Sequence, residues 1–391
     1  MTEPDSRWRA SVAALPRHEL VPRWWESAGS GKWRLRVGAA DPEGWWGTAY
    51  SDTSVVVRVG GLHADHAEAG DLAEGRPTSS ATLPSLVVRM LRWGRLGDKA
   101  DLLDLGTGAG GLAAYACHRL GDARVTSLDV DPYLTGAAAG RLAAMGLRPR
   151  FLAVDATVEI PGTYDRIVAT VGLPAGPGLR PVLGALREGG RLVANLARTG
   201  VVVTGWKQAD GSVVGRVERS PAGFMLTRSG DDYPPAPAEP AAHAETADGE
   251  TVGVGRYPVL DLSATWELRT MLELAAPGVE TSYREHGRRR TACLTHPDGS
   301  WARASAEWID PPEVHQGGPR RLWDVLERIR NRLNAEGALP LLGARARIDP
   351  DGVVRMTRGR WSASLGGAPS PDPSGGVPRT PRAAERSRPV G

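Results

Sequence analysis

Between Ala100 and about Arg228, short β-branched or apolar runs alternate with Ala- and Leu-rich stretches. Runs at 101–105, 124–129, 150–154, 165–170 and 191–196 predict strands, and 111–120, 134–145 and 180–187 predict helices between them. That alternation predicts an α/β fold, a doubly wound and mostly parallel sheet. After the fifth strand the texture changes. Runs at 201–206, 213–217 and 224–227, joined by Ala209-Asp210-Gly211 and Pro221, predict an antiparallel appendage on the sheet edge.

The flanks read differently. Residues 1–98 are rich in Trp and largely irregular, with one β-like run at 54–59. Residues 229–250 hold Pro, Ala and acids with almost nothing apolar, the composition of a linker. Order returns over 251–365, which predicts a smaller α+β domain. Within it 266–275 predicts a helix, and 291–295 and 301–308 predict strands. Leu322, Val325, Leu326, Ile329 and Leu333 share one face of an amphipathic helix, with Pro319 near its start and Gly337 past its end. Residues 348–356 predict a hairpin turning at Asp351-Gly352. The Pro/Ser/Gly/Arg tail at 366–391 predicts disorder. The segments are therefore 1–98, a core at 99–228, the linker, the second domain and the tail.

Composition narrows the function. A chain of 391 residues, 41% hydrophobic and 24% charged, is that of an ordinary globular protein. No run approaches the roughly 20 apolar residues of a membrane helix, and the N-terminus lacks a secretory pattern, so the expected location is cytoplasmic. A net charge of +3 without a basic stripe argues against nucleic acid. Cys117 and Cys293 form neither a disulfide framework nor a C-x-x-C pair. His63 and His66 have the spacing of two metal ligands, but no third or fourth ligand accompanies them, so no metal is expected.

The chemistry-bearing motif is Asp104-Leu-Gly106-Thr107-Gly108-Ala-Gly110-Gly111, between a predicted strand and a predicted helix. Glycines let the backbone turn sharply and a ligand approach closely. Gly106, Gly108 and Gly111 also satisfy the dinucleotide pattern, so NAD is an alternative. Three acids favour S-adenosylmethionine. Asp104 could hold a cationic amino group, Asp129 two ribose hydroxyls, and Asp155 an adenine amino group, each at the end of a successive strand. Such folds bind ligands at that carboxyl edge of the sheet.

Beyond the loop, the sequence resembles the protein-L-isoaspartate (D-aspartate) O-methyltransferases. Residues 15–22 (LPRHELVP) resemble the family's P-R-x-x-F-V-P, and Ala49-Tyr50-Ser51-Asp52 its A-Y-x-D. Residues 78–84 (TSSATLP), followed by Met90-Leu91, resemble its T-I-S-x-P…M-L substrate loop. Residues 164–170 (YDRIVAT) and 186–192 (LREGGRL) resemble F-D-R-I-x-V-T and L-x-x-G-G-R-L. The matches run in order over about 15–228. The resemblance implies a Rossmann-like class I S-adenosylmethionine-dependent methyltransferase sheet with antiparallel edge strands and an N-terminal lid. It further implies Thr82 and Ser80 as catalytic hydroxyls, Gly106, Thr107, Gly108, Gly110 and Thr170 beside the three acids as cofactor residues, and Ser79, Val171 and Gly172 at the substrate.

Three positions depart from the family pattern. Thr82 stands for the usual Ser, Gly111-Leu112 for an aromatic, and 171–174 (VGLP) for an alanine-rich run. The ordered region after the linker resembles the C-terminal half of actinobacterial enzymes encoded with ribosomal peptide natural products. The residues carrying this are Leu268, Leu272, 274–278 (LAAPG), 297–302 (PDGSWA) and 318–323 (GPRRLW). That resemblance implies esterification of an aspartate in a precursor peptide, leading to aspartimide or isoaspartate, with the peptide, cyclised or linear, as partner. Repair of isoaspartate in damaged proteins is the alternative, and a non-catalytic peptide-binding partner a third. Under the leading reading, removal of 250–391 should abolish peptide modification and spare cofactor binding.

Overall fold

A computed structural model describes residues 6–233 and 238–367 of the chain. The N-terminal region is more regular than its sequence texture predicts. It contains helices α1 (Arg9–Ala14) and α2 (Pro42–Tyr50) and strands β1 (Arg23–Gly29), β2 (Lys32–Val37), β3 (Val55–Val59), β4 (Leu62–His63), β5 (Leu72–Glu74) and β6 (Pro77–Ala81). The strands form a six-stranded sheet in the order β4-β3-β1-β2-β5, with β6 also paired to β3. Its small core gathers Trp25, Leu35, Val59, Ala64, Ala67 and Ala73. The period-two signal was present: Trp33, Leu35 and Val37 alternate with Lys32, Arg34 and Arg36 along β2. Helix α3 (Pro84–Trp93) then leads into the core.

The predicted α/β alternation is realised as β7 (Leu102–Leu105), α4 (Gly111–Leu120), β8 (Val125–Asp129), α5 (Pro132–Ala144), β9 (Arg150–Ala153), β10 (Tyr164–Leu173), α6 (Arg180–Ala185) and β11 (Leu186–Leu196). The parallel strands run β9-β8-β7-β10-β11. Both faces are covered, which explains why these strands read as continuous apolar runs rather than alternating ones. Leu103, Leu105, Ile167 and Ala169 face one layer, and Leu102, Val168 and Val193 face α3 and α4 in the other. β12 (Val202–Lys207) and β13 (Val213–Val217) add antiparallel to β11. Residues 224–227 do not continue that appendage as a strand. They make a single parallel bridge, Leu226 to Gly172, and cross the carboxyl edge of the sheet as a strap.

The linker assignment is corrected. Within 229–250 lies α7 (Ala238–Thr246), whose Ala244 is fully buried against Cys293 and Trp301. It leads into β14 (Thr251–Val254), α8 (Trp266–Ala275), β15 (Glu280–His286), β16 (Arg289–Thr295), β17 (Trp301–Glu307), β18 (Glu313–Gly317) and α9 (Leu322–Glu336). The strands form an antiparallel sheet, β14-β18-β17-β16-β15.

The boundary at 365 also moves. β19 (Arg345–Ile348), β20 (Val354–Arg358) and β21 (Trp361–Leu365) leave the second unit and extend the core sheet through β13 to ten strands. Leu272, Leu322 and Leu326 of α8 and α9 share one core with Val203, Val213, Ala346 and Met356 of that sheet. Accessory unit and core thus fold around common apolar contacts. The expected disorder at 366–391 lies, from 368 onward, outside the described residues. No helix among the described residues is long and apolar enough to cross a membrane.

Candidate functional site

Sheet topology brings the ends of β7, β8, β9 and β10 to one edge, and the glycine loop leaves β7 there. Gly106, Gly108 and Gly110 all have positive φ (98°, 51° and 90°), which side-chain-bearing residues adopt only at a cost. At Gly108 a Cβ would stand 2.7 Å from the backbone oxygen of Ser80, so β6 and the loop meet closely enough to demand glycine. The loop is pinned beneath by Gly106 N and Thr107 N donating to the Leu128 carbonyl at 2.8 and 3.1 Å.

A cavity of about 270 Å³ opens above this loop. Ser79, Ser80 and Thr82 line it from one side, Gly106, Thr107 and Gly108 from below, and Asp129, Asp155, Thr170 and Val171 from the strand ends. The strap closes it with Phe224, Met225 and Leu226. Among the described residues, the hydroxyls of Ser79, Ser80 and Thr82 make no hydrogen bond and are free for a ligand. Thr78, in the same cluster, is committed: its Oγ1 donates to the Gly60 carbonyl at 2.7 Å and accepts from Arg58.

The acids divide in role. Asp129 accepts from Gly108 N through Oδ2 and from Asp131 N through Oδ1, both at 3.2 Å. A carboxylate has about four acceptor sites, so capacity remains for two more donors. Burial raises its pKa, opposed by those two hydrogen bonds. Asp155 is tied to its own turn, accepting from Thr157 N and Oγ1 at 2.8 and 2.6 Å. Asp104 does not line the cavity. It is fully buried behind the loop, where Ser127 Oγ donates to its Oδ2 at 2.8 Å and the hydroxyls of Ser127 and Thr107 pair at 2.8 Å. Its Oδ1 has no partner among the described residues. Burial, with the Asp129 charge nearby, pushes its pKa up to about 8 against the pull of Ser127.

Gly110 and Gly172 do not line the cavity, and Thr170 lines it while bracing the loop. Gly110 caps α4 and packs against Ala138 and Leu142 rather than facing the cavity. Gly172 lies under the strap, donating to the Met225 carbonyl at 2.7 Å and accepting from Thr227 N, so it fixes a wall of the site rather than touching its contents. The Thr170 hydroxyl donates to the Gly106 carbonyl at 3.1 Å and braces the loop.

Sequence reasoning missed Ser54, Ser127 and the whole strap. Ser127 carried no signal beyond being polar in an apolar strand. Two buried arginines anchor the strap. Arg228 contacts Asp131 Oδ2 at 3.0 Å and Arg58 contacts the same oxygen at 3.2 Å. Burial raises the Asp131 pKa, but Arg228, Tyr133 N and Arg58 outweigh it and leave the pKa below the usual range. Arg17, from the PRHELVP segment, is buried and donates to the carbonyls of Ala49, Ser51, Thr53, Ala81 and Thr82, all within 3.4 Å. It positions the backbone on which Thr82 stands. His63 belongs to a packed cluster with Asp65, His66 and Tyr133. Burial there pushes its pKa down to about 4.

Residues 102–190 match the family described as "Methyltransferase domain". The protein-L-isoaspartate O-methyltransferase of Dinoroseobacter shibae is 34% identical over 122 residues, which are 30% of this chain and 55% of that protein. The chain therefore spans about half the length of this curated relative. A solved protein-L-isoaspartate O-methyltransferase aligns over 88% of this chain and 92% of its own, at 16% identity and a TM-score of 0.44. A coclaurine N-methyltransferase bound to N-methylheliamine and S-adenosylhomocysteine aligns over 28% of this chain and 34% of its own, at 21% identity and a TM-score of 0.26.

The fold is that of the class I S-adenosylmethionine-dependent methyltransferases, with 3-2-1-4-5 parallel order and an antiparallel strand beyond it. The residues present fit that cofactor. The unpartnered oxygen of Asp104 suits a cationic group, the Gly108 turn leaves no room for a side chain, and Asp129 retains acceptor capacity.

Proposed function

We propose that the methyltransferase domain transfers a methyl group to a side-chain carboxylate of a peptide, and that the substrate is an aspartate in a ribosomally made precursor. The observation that carries the acceptor chemistry is the row of free hydroxyls, Ser79, Ser80 and Thr82, on the wall facing the glycine loop. Such a row can orient a carboxylate without neutralising it. No general base is needed, since an aspartate with a reference pKa of about 3.9 is ionised at neutral pH.

S-adenosylmethionine, when bound, supplies an electrophilic methyl on a sulfonium. Gly106, Thr107 and Gly108 would hold its amino-acid end, backed by Asp104. Asp129 would take the ribose, and Asp155 with Val130, Val154 and Ala156 the adenine. Thr82 and Ser80 donate to one carboxylate oxygen and aim the other at the methyl carbon. The cofactor would supply the methyl carbon for the new bond to oxygen and would take up the departing electron pair on its sulfur, leaving S-adenosylhomocysteine. Positioning of this kind is worth on the order of 7–11 kcal/mol. Donors that held the carboxylate charge too firmly would oppose its loss in the transition state, which suits neutral hydroxyls better than a guanidinium. The methyl ester then loses methanol to attack by the following backbone nitrogen, giving an aspartimide that water opens to isoaspartate.

The accessory unit favours the precursor over a general repair role. Residues 238–344 form a folded body that shares its core with the catalytic sheet, and a dedicated peptide gains from a dedicated clamp. Sequence identity to the Dinoroseobacter relative favours the second reading, repair of isoaspartate. Mass spectrometry separates them. A methyl-ester mass followed by loss of methanol, on the precursor encoded beside the gene and not on a generic isoaspartyl peptide, supports the first. Turnover of the isoaspartyl peptide alone assigns repair.

A further inference from the structure

On the opposite edge of the sheet lies a crevice of about 760 Å³ between the start of α1, the end of α3, the end of α4 and the start of β10. Half of its ten lining residues are arginines: Arg7, Arg92, Arg95, Arg119 and Arg166. None of the ten is acidic. The guanidinium groups of Arg7, Arg92 and Arg95 make no hydrogen bond or ion pair among the described residues. Arg119 stacks over the buried Trp8 and pairs with the exposed Asp98 at 3.2 Å, and its buried Nε has no partner among the described residues. Arg166 donates to the backbone carbonyls of Asp165 and Arg95. The nearby acids Asp101 and Asp165 are committed to Arg124 and Arg187.

Five like charges around one space repel one another, and an anion between them removes that repulsion. Guanidinium forks match oxyanions with two parallel hydrogen bonds, so the chemistry points to phosphate oxygens rather than a single small halide. The crowding extends to the neighbouring Arg191: burial, then the Arg95 charge, push its pKa down to about 10. The width of the crevice and its number of cations exceed what one phosphate group requires.

We infer that this crevice is a binding site for a di- or triphosphate anion, separate from the methyltransferase cavity and independent of the function proposed for it. The test uses the full chain in a phosphate-free buffer, saturated with S-adenosylhomocysteine so that the cofactor cavity is closed to nucleotides. Thermal melting and calorimetry follow added pyrophosphate or ADP, with sodium chloride at matched ionic strength as reference. The expected results are a rise in Tm of several degrees over the chloride reference, and at least a tenfold loss of pyrophosphate affinity in Arg95→Gln/Arg119→Gln. Unchanged S-adenosylhomocysteine affinity shows that this variant is folded, and Arg95→Lys/Arg119→Lys should keep part of the binding. ADP binding tighter than pyrophosphate assigns a nucleotide, and equal affinity assigns a bare phosphate chain. A shift no larger than that of chloride, or equal pyrophosphate affinity in the glutamine variant, overturns the proposal.

Discussion

The carbonyl oxygen of Ser80 lies 2.7 Å from where a Cβ on Gly108 would stand, so the N-terminal sheet and the glycine loop are fitted to one another at a single point. Gly108→Ala must push β6 away or twist the loop out of its left-handed turn. Because β6 carries Ser79 and Ser80, both walls of the cavity move together. We expect cofactor affinity to fall about 10- to 100-fold, the equivalent of the about 1–3 kcal/mol that a side-chain-bearing residue stores in such a turn. Isothermal titration with S-adenosylhomocysteine reads it, and affinity within threefold of wild type would contradict the fit.

Asp104 makes stability depend on pH. An unfolded chain loses this proton near 4, whereas the folded chain holds it to about 8. Between those limits the folded state binds more protons, so stability declines as pH rises, by up to about 1.4 kcal/mol per pH unit from this group alone. Asp104→Asn removes the slope. Melting curves from pH 5 to 8 should fall with pH in wild type and run flatter in the variant. A bound cation would favour the ionised form, so cofactor binding should release a proton below pH 8, measurable as buffer-dependent heat.

Thr82→Val keeps shape and deletes one donor. If the hydroxyl aims the acceptor carboxylate, kcat falls about 10- to 100-fold while cofactor affinity holds. An unaltered rate in both Thr82→Val and Ser80→Ala would remove these hydroxyls from the mechanism.

Arg17→Met strips five backbone carbonyls of their donor. A loss of about 3 kcal/mol or more is expected by urea denaturation, since buried acceptors would be left unpaired. The remaining folded fraction should show a raised KM for the peptide, because the Thr82 segment loses its anchor.

The strap is held by the Arg228–Asp131 pair. Arg228→Ala leaves Asp131 with Arg58, so the destabilisation should sit near the lower end of the about 3–5 kcal/mol seen when a buried pair loses one partner. Dissociation of S-adenosylhomocysteine should quicken at least fivefold by stopped-flow fluorescence, and an unchanged off-rate would mean that the strap does not retain the ligand.

The parallel core was legible because its strands are buried on both faces and its helices are Ala- and Leu-rich. The bounds of α4, β13 and α8 agree with their patterns to the residue. What escaped were features set by partners distant in sequence. The strap reads as a strand because Phe224, Met225 and Leu226 are apolar, yet they wall a cavity instead of joining a sheet. The segment around α7 reads as linker because of its prolines and acids, although Ala244 is buried against Cys293 of β16 and Trp301 of β17. Of the candidate site, the placement of Gly106, Gly108 and Asp129 at the cavity was legible from position alone. Ser127, Arg58 and Arg228 were not, since their roles arise only when chain folding brings β3, β8 and the strap together. The shared core also changes one experiment: removing 250–391 would strip β19 to β21 from the sheet and expose its apolar face, so point variants are the sounder probe.

β13 and β19 are neighbours in one sheet, with Arg216 opposite Arg345, and the chain between them builds first the strap and then the accessory unit. It is a guest inserted into a hairpin rather than a passenger on a tether. Its apolar residues Leu272, Leu322 and Leu326 tie it to the sheet through a common core. Sharing its core with the host sheet, it is expected to melt with that sheet in one transition rather than apart from it.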